Sequence, residues 1–344
     1  MKKITASTIC LLLAFLLCEA AEGIKQTTKP MKKDFMEIIS YAAKAPSGHN
    51  TQPWRFSLSE NTISIKPNFD VVLPIVDKSN RELYISLGCA TENLLIAATH
   101  FGYEAHVAQY DSTEIKVKLI KNDQVVKDDM FHQIDRRQTN RSVYHYRKIG
   151  DAPLAKLRTL SSDIYFAEIG STLADTLTKY IAKGNEMQMS DKAFREELLS
   201  WMRFNDNQVK KMGEGLSNKV FGNPSLPGMI AKPIVRQFLK PNTQNKGDMK
   251  KIASSSHLML FTTKHNTVKE WIDLGRLLQR FCLTTTGLGI ASAYCNQPCE
   301  VVPLANELQK TLPINGEYPT LLLRIGYADP TPYSPRKKIE DVIE

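Results

Sequence analysis

The chain has 344 residues, of which 42% are hydrophobic and 8% are aromatic. This composition excludes a disordered chain, and the length predicts two domains or one large duplicated unit with a sizeable core. Lysine and arginine outnumber aspartate and glutamate by 45 to 36, which gives a formal net charge of +9. No run of 18 apolar residues occurs, so we predict no transmembrane helix. The seven histidines show no metal-ligand spacing, and we therefore predict no metal site.

Residues 1–20 have the pattern of a secretory signal peptide. Lys2 and Lys3 provide a positive start, and residues 9–17 form an uninterrupted apolar run that is too short to span a bilayer. The tripeptide Cys18-Glu19-Ala20 then offers a small-x-small cleavage site. We therefore expect an exported, periplasmic protein. In such a protein the basic charge would serve an anionic cofactor, an anionic substrate or solubility rather than nucleic acid.

Two further expectations concern the residues around this cleavage site. Lipidation of Cys18 is the alternative to cleavage, although Leu17 stands where lipoproteins normally carry a small residue. Residues 21–33 are mostly polar and are predicted to form a linker. The folded part would then begin near Asp34.

A gapless internal repeat indicates duplication. Residues 87–102 (LGCATENLLIAATHFG) align with residues 274–289 (LGRLLQRFCLTTTGLG) at a constant offset of 187 residues. Gly88 coincides with Gly275, and both segments are apolar around most of a helix, which predicts burial on all sides. Two unrelated buried helices that match by chance would be the alternative explanation.

Short strands surround both copies of the repeat. Alternation of apolar and polar residues predicts a hairpin and one further strand in the first half, and apolar runs predict two strands in the second half. We therefore predict an α+β fold of two tandem related halves, at residues 34–130 and 131–344, with helices layered around antiparallel sheets. The predicted hairpin and strands lie at residues 56–65, 115–120, 257–262 and 320–325.

The segment APSGHNTQPW, at residues 45–54, is the most informative in the chain. Its proline ends the preceding helix, and the small polar residues that follow supply backbone amides and short side chains suited to a flat heteroaromatic ligand. A helix-ending turn before a strand is the alternative interpretation of these residues alone. The segment closely resembles the motif P-S-x-x-N-x-Q-P-W of the nitroreductase family, whose loop lines a flavin. The resemblance implies cofactor contacts for Pro46, Ser47, Gly48, Asn50 and Gln52.

Two basic segments resemble the phosphate-binding elements of the same family. The segment RQTNR fits the pattern R-x-[ST]-x-[RK], which grips the phosphate and the ribityl chain, here through Arg137, Thr139 and Arg141. Two guanidinium forks and a hydroxyl suit a phosphate dianion. Arg336, in the C-terminal segment SPRKKIEDV, is the second phosphate ligand that the resemblance implies. By itself the RQTNR segment is also compatible with a solvated charged face, in which Asp135 pairs with one of the arginines. Arg336 by itself is also compatible with an exposed charge of the C-terminal tail.

The loop after the second buried helix holds the last candidate contacts. In the nitroreductase family the backbone of this region faces the reactive side of the flavin ring. The resemblance carries that position to Asn296 and Gln297. A structural turn closed by a Cys295–Cys299 disulfide is the alternative.

The motifs occur once although the fold is duplicated. The first half lacks an R-x-S-x-R element and the second half lacks a second P-S-x-x-N, so one complete site and one dismantled site are expected. This arrangement resembles the two-domain, Acg-like branch of the family, and it implies a monomeric pseudo-dimer that holds one FMN. Residues 203–250 match neither repeat and are rich in glycine and proline. They form either a surface excursion or a lid over the flavin, as in Acg-like relatives.

The resemblance implies an FMN-binding oxidoreductase that reduces a small electrophile, such as a nitro group, a quinone or an enone, through flavin N5. The protein would orient the ring and tune its potential by hydrogen bonds, and no side chain is nominated as a catalytic acid or base. An exported protein does not meet the cytoplasmic NAD(P)H pool, so the electron donor stays open. Storage or sequestration of FMN under a closed lid, and a cofactor-free structural relic, are the two alternatives.

Overall fold

A computed structural model describes residues 33–314 and 316–344. The predicted signal peptide, the lipidation site at Cys18 and all but the last residue of the predicted linker lie outside the described residues. These expectations therefore stay predictions. Within the described ranges, no helix is both long enough and apolar enough to cross a membrane.

The first half forms a four-stranded antiparallel sheet with its own buried helix. Its elements are helix α1 (residues 33–42), strands β1 (Trp54–Ser59) and β2 (Thr62–Pro67), helix α2 (Arg81–His100), and strands β3 (Tyr103–Tyr110) and β4 (Ile115–Lys121). The strands lie in the order β1-β2-β4-β3. The predicted hairpin is confirmed, because Phe56 pairs with Ile65 and Leu58 pairs with Ile63 across a turn that begins at Glu60.

A long, mostly helical insertion interrupts the second half. Two short helices, α3 (Phe131–Ile134) and α4 (Asp151–Arg158), lead into strand β5 (Ile164–Glu168). The insertion follows and consists of α5 (Thr172–Ser190), α6 (Lys192–Trp201), β6 (Met202–Arg203), α7 (Asp206–Met212), β7 (Leu216–Ser217), α8 (Gly228–Phe238) and α9 (Pro241–Ala253). It begins earlier than the predicted residues 203–250, because α5 and α6 are regular amphipathic helices without proline and give no composition signal.

The second sheet repeats the strand order of the first. The remaining elements are β8 (His257–Thr263), α10 (Val268–Gly287), β9 (Ala291–Tyr294), α11 (Gln297–Glu300), α12 (Val302–Thr311) and β10 (Tyr318–Gly326). The strands lie in the order β5-β8-β10-β9 and are antiparallel. Within each sheet, the first strand along the chain therefore lies at one edge, followed by the second and the fourth, and the third strand lies at the other edge. The buried helix joins the second strand to the third in each case, and the predicted α+β class is observed.

Helices α2 and α10 pack against each other in a contact that is the same from both sides. Both have 20 residues, and each end of α10 lies 187 residues after the matching end of α2 (81 to 268 and 100 to 287). A Cβ atom added to Gly88 would overlap the carbonyl oxygen of Ile272, and one added to Gly275 would overlap that of Ile85. The two Cβ positions each lie 2.9 Å from the opposite glycine Cα. This reciprocity is the geometry of an isologous interface, and it supports the duplication inferred from the sequence.

The two halves also exchange their ends. Phe56 of β1 donates its N–H to the carbonyl of Val342 (2.7 Å), and Glu344 donates to the carbonyl of Phe56 (2.8 Å). The segment after the first half makes the converse contact, since Thr139 forms a bridge with Ser292 of β9. Each sheet is therefore extended by chain that follows the other half, and this brings residues 137–141 and the C-terminal segment close to the loop after α1.

The glycine contact gives a prediction about stability. We expect Gly88→Ala and Gly275→Ala each to lower the free energy of unfolding by about 3 kcal/mol, because backbone atoms cannot move aside without separating α2 from α10. Gly247→Ala, in α9, is the matched control. It has no neighbouring atom within 4 Å and should be neutral or slightly stabilising, because alanine is the better helix former. Urea unfolding measures all three, and unchanged stability in Gly88→Ala would contradict the close packing of the helices.

Candidate functional site

One cavity gathers almost all the residues that the motifs single out. It has a volume of about 570 Å³ and lies between the loop after α1, the start of α2, α5, α6, α11 and the C-terminal segment. Ten of the eleven predicted contacts line it: Pro46, Ser47, Gly48, Asn50, Arg137, Thr139, Arg141, Asn296, Gln297 and Arg336.

Gln52 does not line this cavity, and its assignment as a cofactor contact stays a prediction. Its side chain is 1% exposed and spans two other segments. The amide nitrogen donates to the carbonyl of Gly213 (2.8 Å), and the amide oxygen accepts from the backbone N–H of Lys337 (2.9 Å). Gln52 therefore ties the loop to the insertion and to the C-terminal segment.

The loop at residues 47–52 has an unfavourable backbone that its surroundings hold in place. His49, Asn50 and Gln52 have φ values of 47°, 57° and 53°, in the left-handed region that favours glycine. Such conformations cost on the order of 1 kcal/mol or more each, and they persist only where the surrounding structure fixes them. The Asn50 amide donates to the carbonyls of Gly215 (3.1 Å) and Pro335 (3.0 Å), so the insertion and the C-terminal segment together provide that support.

Three arginines on one side of the cavity lack carboxylate partners. Within the described residues, no Asp or Glu oxygen lies within 4.0 Å of the guanidinium groups of Arg137, Arg141 or Arg336. Asp135, the partner considered from the sequence, pairs instead with Lys44 at 2.6 Å. Arg137 is 7% exposed, so these residues do not form a solvated charged face.

The hydrogen bonds of these arginines leave specific donors free. The Arg336 guanidinium donates hydrogen bonds to Asn50 Oδ1 (2.6 Å) and to the carbonyl of Lys44 (3.0 Å). The Nε atom of Arg137 and one Nη atom of Arg141 are buried without any acceptor among the described residues. Burial lowers the pKa of Arg141 to about 10 and that of Arg336 to about 9. Buried charge and unpaired donors are costly, so this side of the cavity is suited to an anion such as a phosphate group.

Burial also controls the histidine of the loop. His49 lines the cavity, and its pKa is lowered to about 4 by burial and, secondarily, by the positive charge of Arg141. The imidazole is therefore neutral at neutral pH and adds no further positive charge.

Two mostly buried carboxyl groups, which belong to no motif, lie on another part of the cavity wall. Glu82, at the start of α2, and Glu300, at the end of α11, are neighbours whose carboxyl groups interact. Asn296 Nδ2 donates to Glu82 Oε1 (2.7 Å), and Gln188 Nε2 donates to Glu300 Oε2 (2.6 Å). Burial and the neighbouring carboxylate raise the pKa of Glu82 to about 8. Because two adjacent anions repel, the pair retains a proton near neutral pH.

A buried aspartate orients amide groups next to this pair. Asp248 Oδ2 accepts from Asn185 Nδ2 (3.1 Å), Gln244 Nε2 (2.9 Å) and Gln297 Nε2 (3.2 Å). Since their nitrogens face Asp248, the oxygens of Asn185 and Gln297 are left buried without a donor among the described residues. The cavity thus has free donors on the arginine side and free acceptors on the wall of α5 and α11. A ligand with an anionic group and separate N–H or O–H groups would satisfy both.

The insertion supplies an apolar part of the cavity wall. Its lining side chains come from α6, from the segment around β7 and from the end of α8, and they include Phe194, Leu198, Met202, Leu216, Phe221 and Leu239. The guanidinium carbon of Arg141 lies 5.4 Å from the centre of the Phe221 ring, within the range of a cation–π contact. The insertion therefore lines part of the cavity.

The expected disulfide alternative at α11 is not observed. Cys295 and Cys299 are both buried and are not bonded to each other. The turn is held instead by hydrogen bonds, since Asn296 Oδ1 accepts from the backbone N–H of Leu322 (3.1 Å) and the Asn296 carbonyl accepts from that of Cys299 (2.9 Å). Burial raises the pKa of both thiols to about 12, so they are protonated and unreactive.

Comparisons with known proteins agree with the motifs. Two Mycobacterium tuberculosis (strain ATCC 25618 / H37Rv) proteins, Rv3131 and acg, are named as proposed NAD(P)H nitroreductases. The chain is 24% identical to Rv3131 over 89% of its own length and 90% of the relative, and 22% identical to acg over 88% and 93%. Among solved structures, it is similar to the FMN-dependent nitroreductase NfnB from Mycobacterium smegmatis in complex with NADPH. That match has a TM-score of 0.39 and 12% identity, over 61% of this chain and 94% of the other. No protein-family model matches the chain.

The similarity to the two M. tuberculosis proteins extends over nearly the whole of each chain. It confirms the resemblance to the Acg-like branch of the nitroreductases that the loop and arginine motifs indicated.

The carboxyl pair gives a prediction about pH. A carboxyl group whose pKa is raised on folding stabilises the protein below its unfolded pKa, and this contribution is lost as pH rises through the folded value. For Glu82 this stabilisation is lost between pH 4.5, its usual pKa, and about pH 8, its pKa in the folded protein. The charged groups that face Glu82 are Arg81, Asp77 and Glu300. We expect Glu82→Gln to be more stable than the wild type at pH 8, by on the order of 1–2 kcal/mol, and to lose this advantage by pH 4.5.

Glutamine keeps the acceptor for Asn296 and can donate to Glu300, so the packing should survive. The exposed Glu186→Gln, on α5, is the matched control and should not change the pH dependence. Chemical unfolding at a series of pH values measures the difference. If the free energies of unfolding of the wild type and of Glu82→Gln change in parallel with pH, the pair holds no proton.

Proposed function

We propose that the chain is an FMN-dependent oxidoreductase of the nitroreductase type, which transfers electrons to a small electrophile such as a nitro group, a quinone or an enone. The observation that carries this proposal is the set of buried arginine donors without carboxylate partners in a cavity lined by the P-S-x-x-N loop. The names of the full-length relatives, which propose NAD(P)H nitroreductase activity for those proteins, agree with it.

The residues present fit a flavin mononucleotide. Arg137 and Arg141 have free donors for the phosphate, while Arg336 braces the loop by holding Asn50 and the carbonyl of Lys44. The free oxygens of Asn185 and Gln297 would accept hydrogen bonds from a ring or substrate N–H. When bound, FMN supplies the two-electron chemistry that no side chain of the cavity can provide.

The carboxyl pair has a role in this proposal. Reduction of a quinone or a nitro group consumes protons as well as electrons, and Glu82 and Glu300 hold one at the cavity wall. Solvent would replace that proton after each cycle. The apolar side chains of the insertion, among them Phe194 and Phe221, would limit the access of water to the site.

Storage of FMN is the second candidate, and the cover formed by the insertion favours it. If Phe221, Leu216 and Leu239 close the cavity against a bulky nicotinamide, bound flavin would be retained without turnover. We further propose that the protein is exported and monomeric, holds one flavin per chain and does not bind nucleic acid. An exported location leaves the electron donor open in either case.

Reduction of the bound flavin by two reagents tests whether the insertion shields it from a nicotinamide donor. We expect the purified protein to be yellow, to release about one flavin per chain, and to be bleached readily by dithionite but slowly by NADPH, because the insertion excludes the larger donor. Replacement of residues 218–238 by a short Gly/Ser linker should then accelerate bleaching by NADPH. This variant keeps Gly213 and Gly215, which support the loop at residues 47–52.

A smaller pair of variants controls for loss of structure. Phe221→Ala opens the cavity wall and should also accelerate bleaching, whereas Phe69→Ala, at an exposed position outside the cavity, should not. Bleaching of the intact protein by NADPH within seconds would rule out the insertion as a barrier. A colourless protein that cannot be loaded with FMN would contradict both candidates and favour a cofactor-free relic.

A further inference from the structure

The outer face of α8 is apolar and has no partner among the described residues. Met229 is 91% exposed, and Ile230, Ile234 and Phe238 are 55%, 44% and 61% exposed. At about 100° per residue, these four side chains span one half of the helix circumference, which they share with the exposed Pro233 and Gln237. Exposure of several large apolar side chains side by side is uncommon on a soluble surface and marks an interaction site.

The opposite face of α8 already accounts for its attachment to the protein. Ala231 is buried with Leu199 and Phe204, and Val235 and Leu239 pack against the same cluster. The exposed side chains are therefore not needed to hold the helix in place. A helix that is apolar on both sides is explained when its outer side also contacts an apolar medium.

The charged residues of the chain segment that contains this helix are of one sign. From residue 215 to residue 247 the chain contains no Asp or Glu and five basic residues: Lys219, Lys232, Arg236, Lys240 and Lys246. Arg236 pairs with Glu196 at 2.8 Å, and Lys219 pairs with Asp206 at 2.9 Å. Lys232 and Lys240 are exposed and have no carboxylate within 4.0 Å among the described residues. Lys232 lies on α8 beside the apolar face and Lys240 lies two residues after the end of the helix, so unpaired positive charge borders the face, as in helices that lie at a membrane surface.

We propose that α8 docks the protein on an anionic phospholipid surface, with Met229, Ile230, Ile234 and Phe238 inserted among the acyl chains and Lys232 and Lys240 at the headgroup phosphates. A second copy of the chain fits the face less well, because a symmetric contact through α8 would bring the lysines of both copies together. This inference does not depend on a bound flavin. It does place the cover of the cavity at the bilayer, since Leu239 and Phe221 on either side of α8 line the cavity.

Vesicle flotation tests this proposal directly. The wild type should float with phosphatidylcholine vesicles that contain phosphatidylglycerol, should float less with pure phosphatidylcholine, and should be released by salt. The triple variant Met229→Ser/Ile234→Ser/Phe238→Ser should bind at least about tenfold more weakly. The variants Lys232→Gln and Lys240→Gln should each reduce binding by about fivefold at low salt.

A matched triple variant controls for the loss of exposed apolar surface in general. Phe69→Ser/Val126→Ser/Val302→Ser removes side chains that are 53%, 87% and 60% exposed but lie outside α8, and it should float like the wild type. Circular dichroism confirms that all variants are folded. Failure of the wild type to bind anionic vesicles, equal binding by the α8 variant, or equal binding to neutral vesicles would overturn the proposal. So would a dimer in size-exclusion chromatography that only the α8 variant disrupts.

Discussion

The arrangement of the site depends on buried positive charge that the protein itself does not neutralise. Arg137 and Arg141 lie in the cavity with free donors, and Arg336 donates hydrogen bonds to the adjacent loop after α1. An arginine cluster of this kind is costly in the absence of an anion. It is maintained because Asn50 and Gln52 connect the loop to the insertion and to the C-terminal segment, so that none of the three segments can move independently.

Two contacts between the halves bring distant parts of the chain together at this point. The reciprocal contact of Gly88 with Gly275 sets α2 against α10, and the exchange of chain ends carries Thr139 to one sheet and the C-terminal segment to the other. The symmetry stops at the insertion, which interrupts only the second half and lines part of the cavity. The unequal halves are thus consistent with a single site, and the insertion that lines it also carries the outward face of α8.

The sequence predicted helices and strands better than it predicted the contacts between distant residues. Strands with strict alternation and the repeat at an offset of 187 residues were located well, because both signals are periodic and local. Ten candidate contacts line the cavity because a motif fixes neighbouring residues together, but Gln52 does not line it, since the left-handed backbone at Asn50 and Gln52 turns its side chain toward Gly213 and Lys337, which no local pattern reveals. The Glu82–Glu300 pair was missed because its members are 218 residues apart and belong to no motif. The start of the insertion was missed because α5 resembles any amphipathic helix.

Differential binding of FMN and riboflavin tests the central claim, that the free arginine donors exist to bind a phosphate. Arg137→Ala should weaken FMN binding by about tenfold or more while riboflavin, which lacks the phosphate, loses little, because a charge-assisted hydrogen bond contributes roughly 1.5–3 kcal/mol. The neighbouring exposed Arg136→Ala should change neither affinity. Equal losses for both ligands in Arg137→Ala, or no loss for either, would contradict the assignment of this side of the cavity to the phosphate.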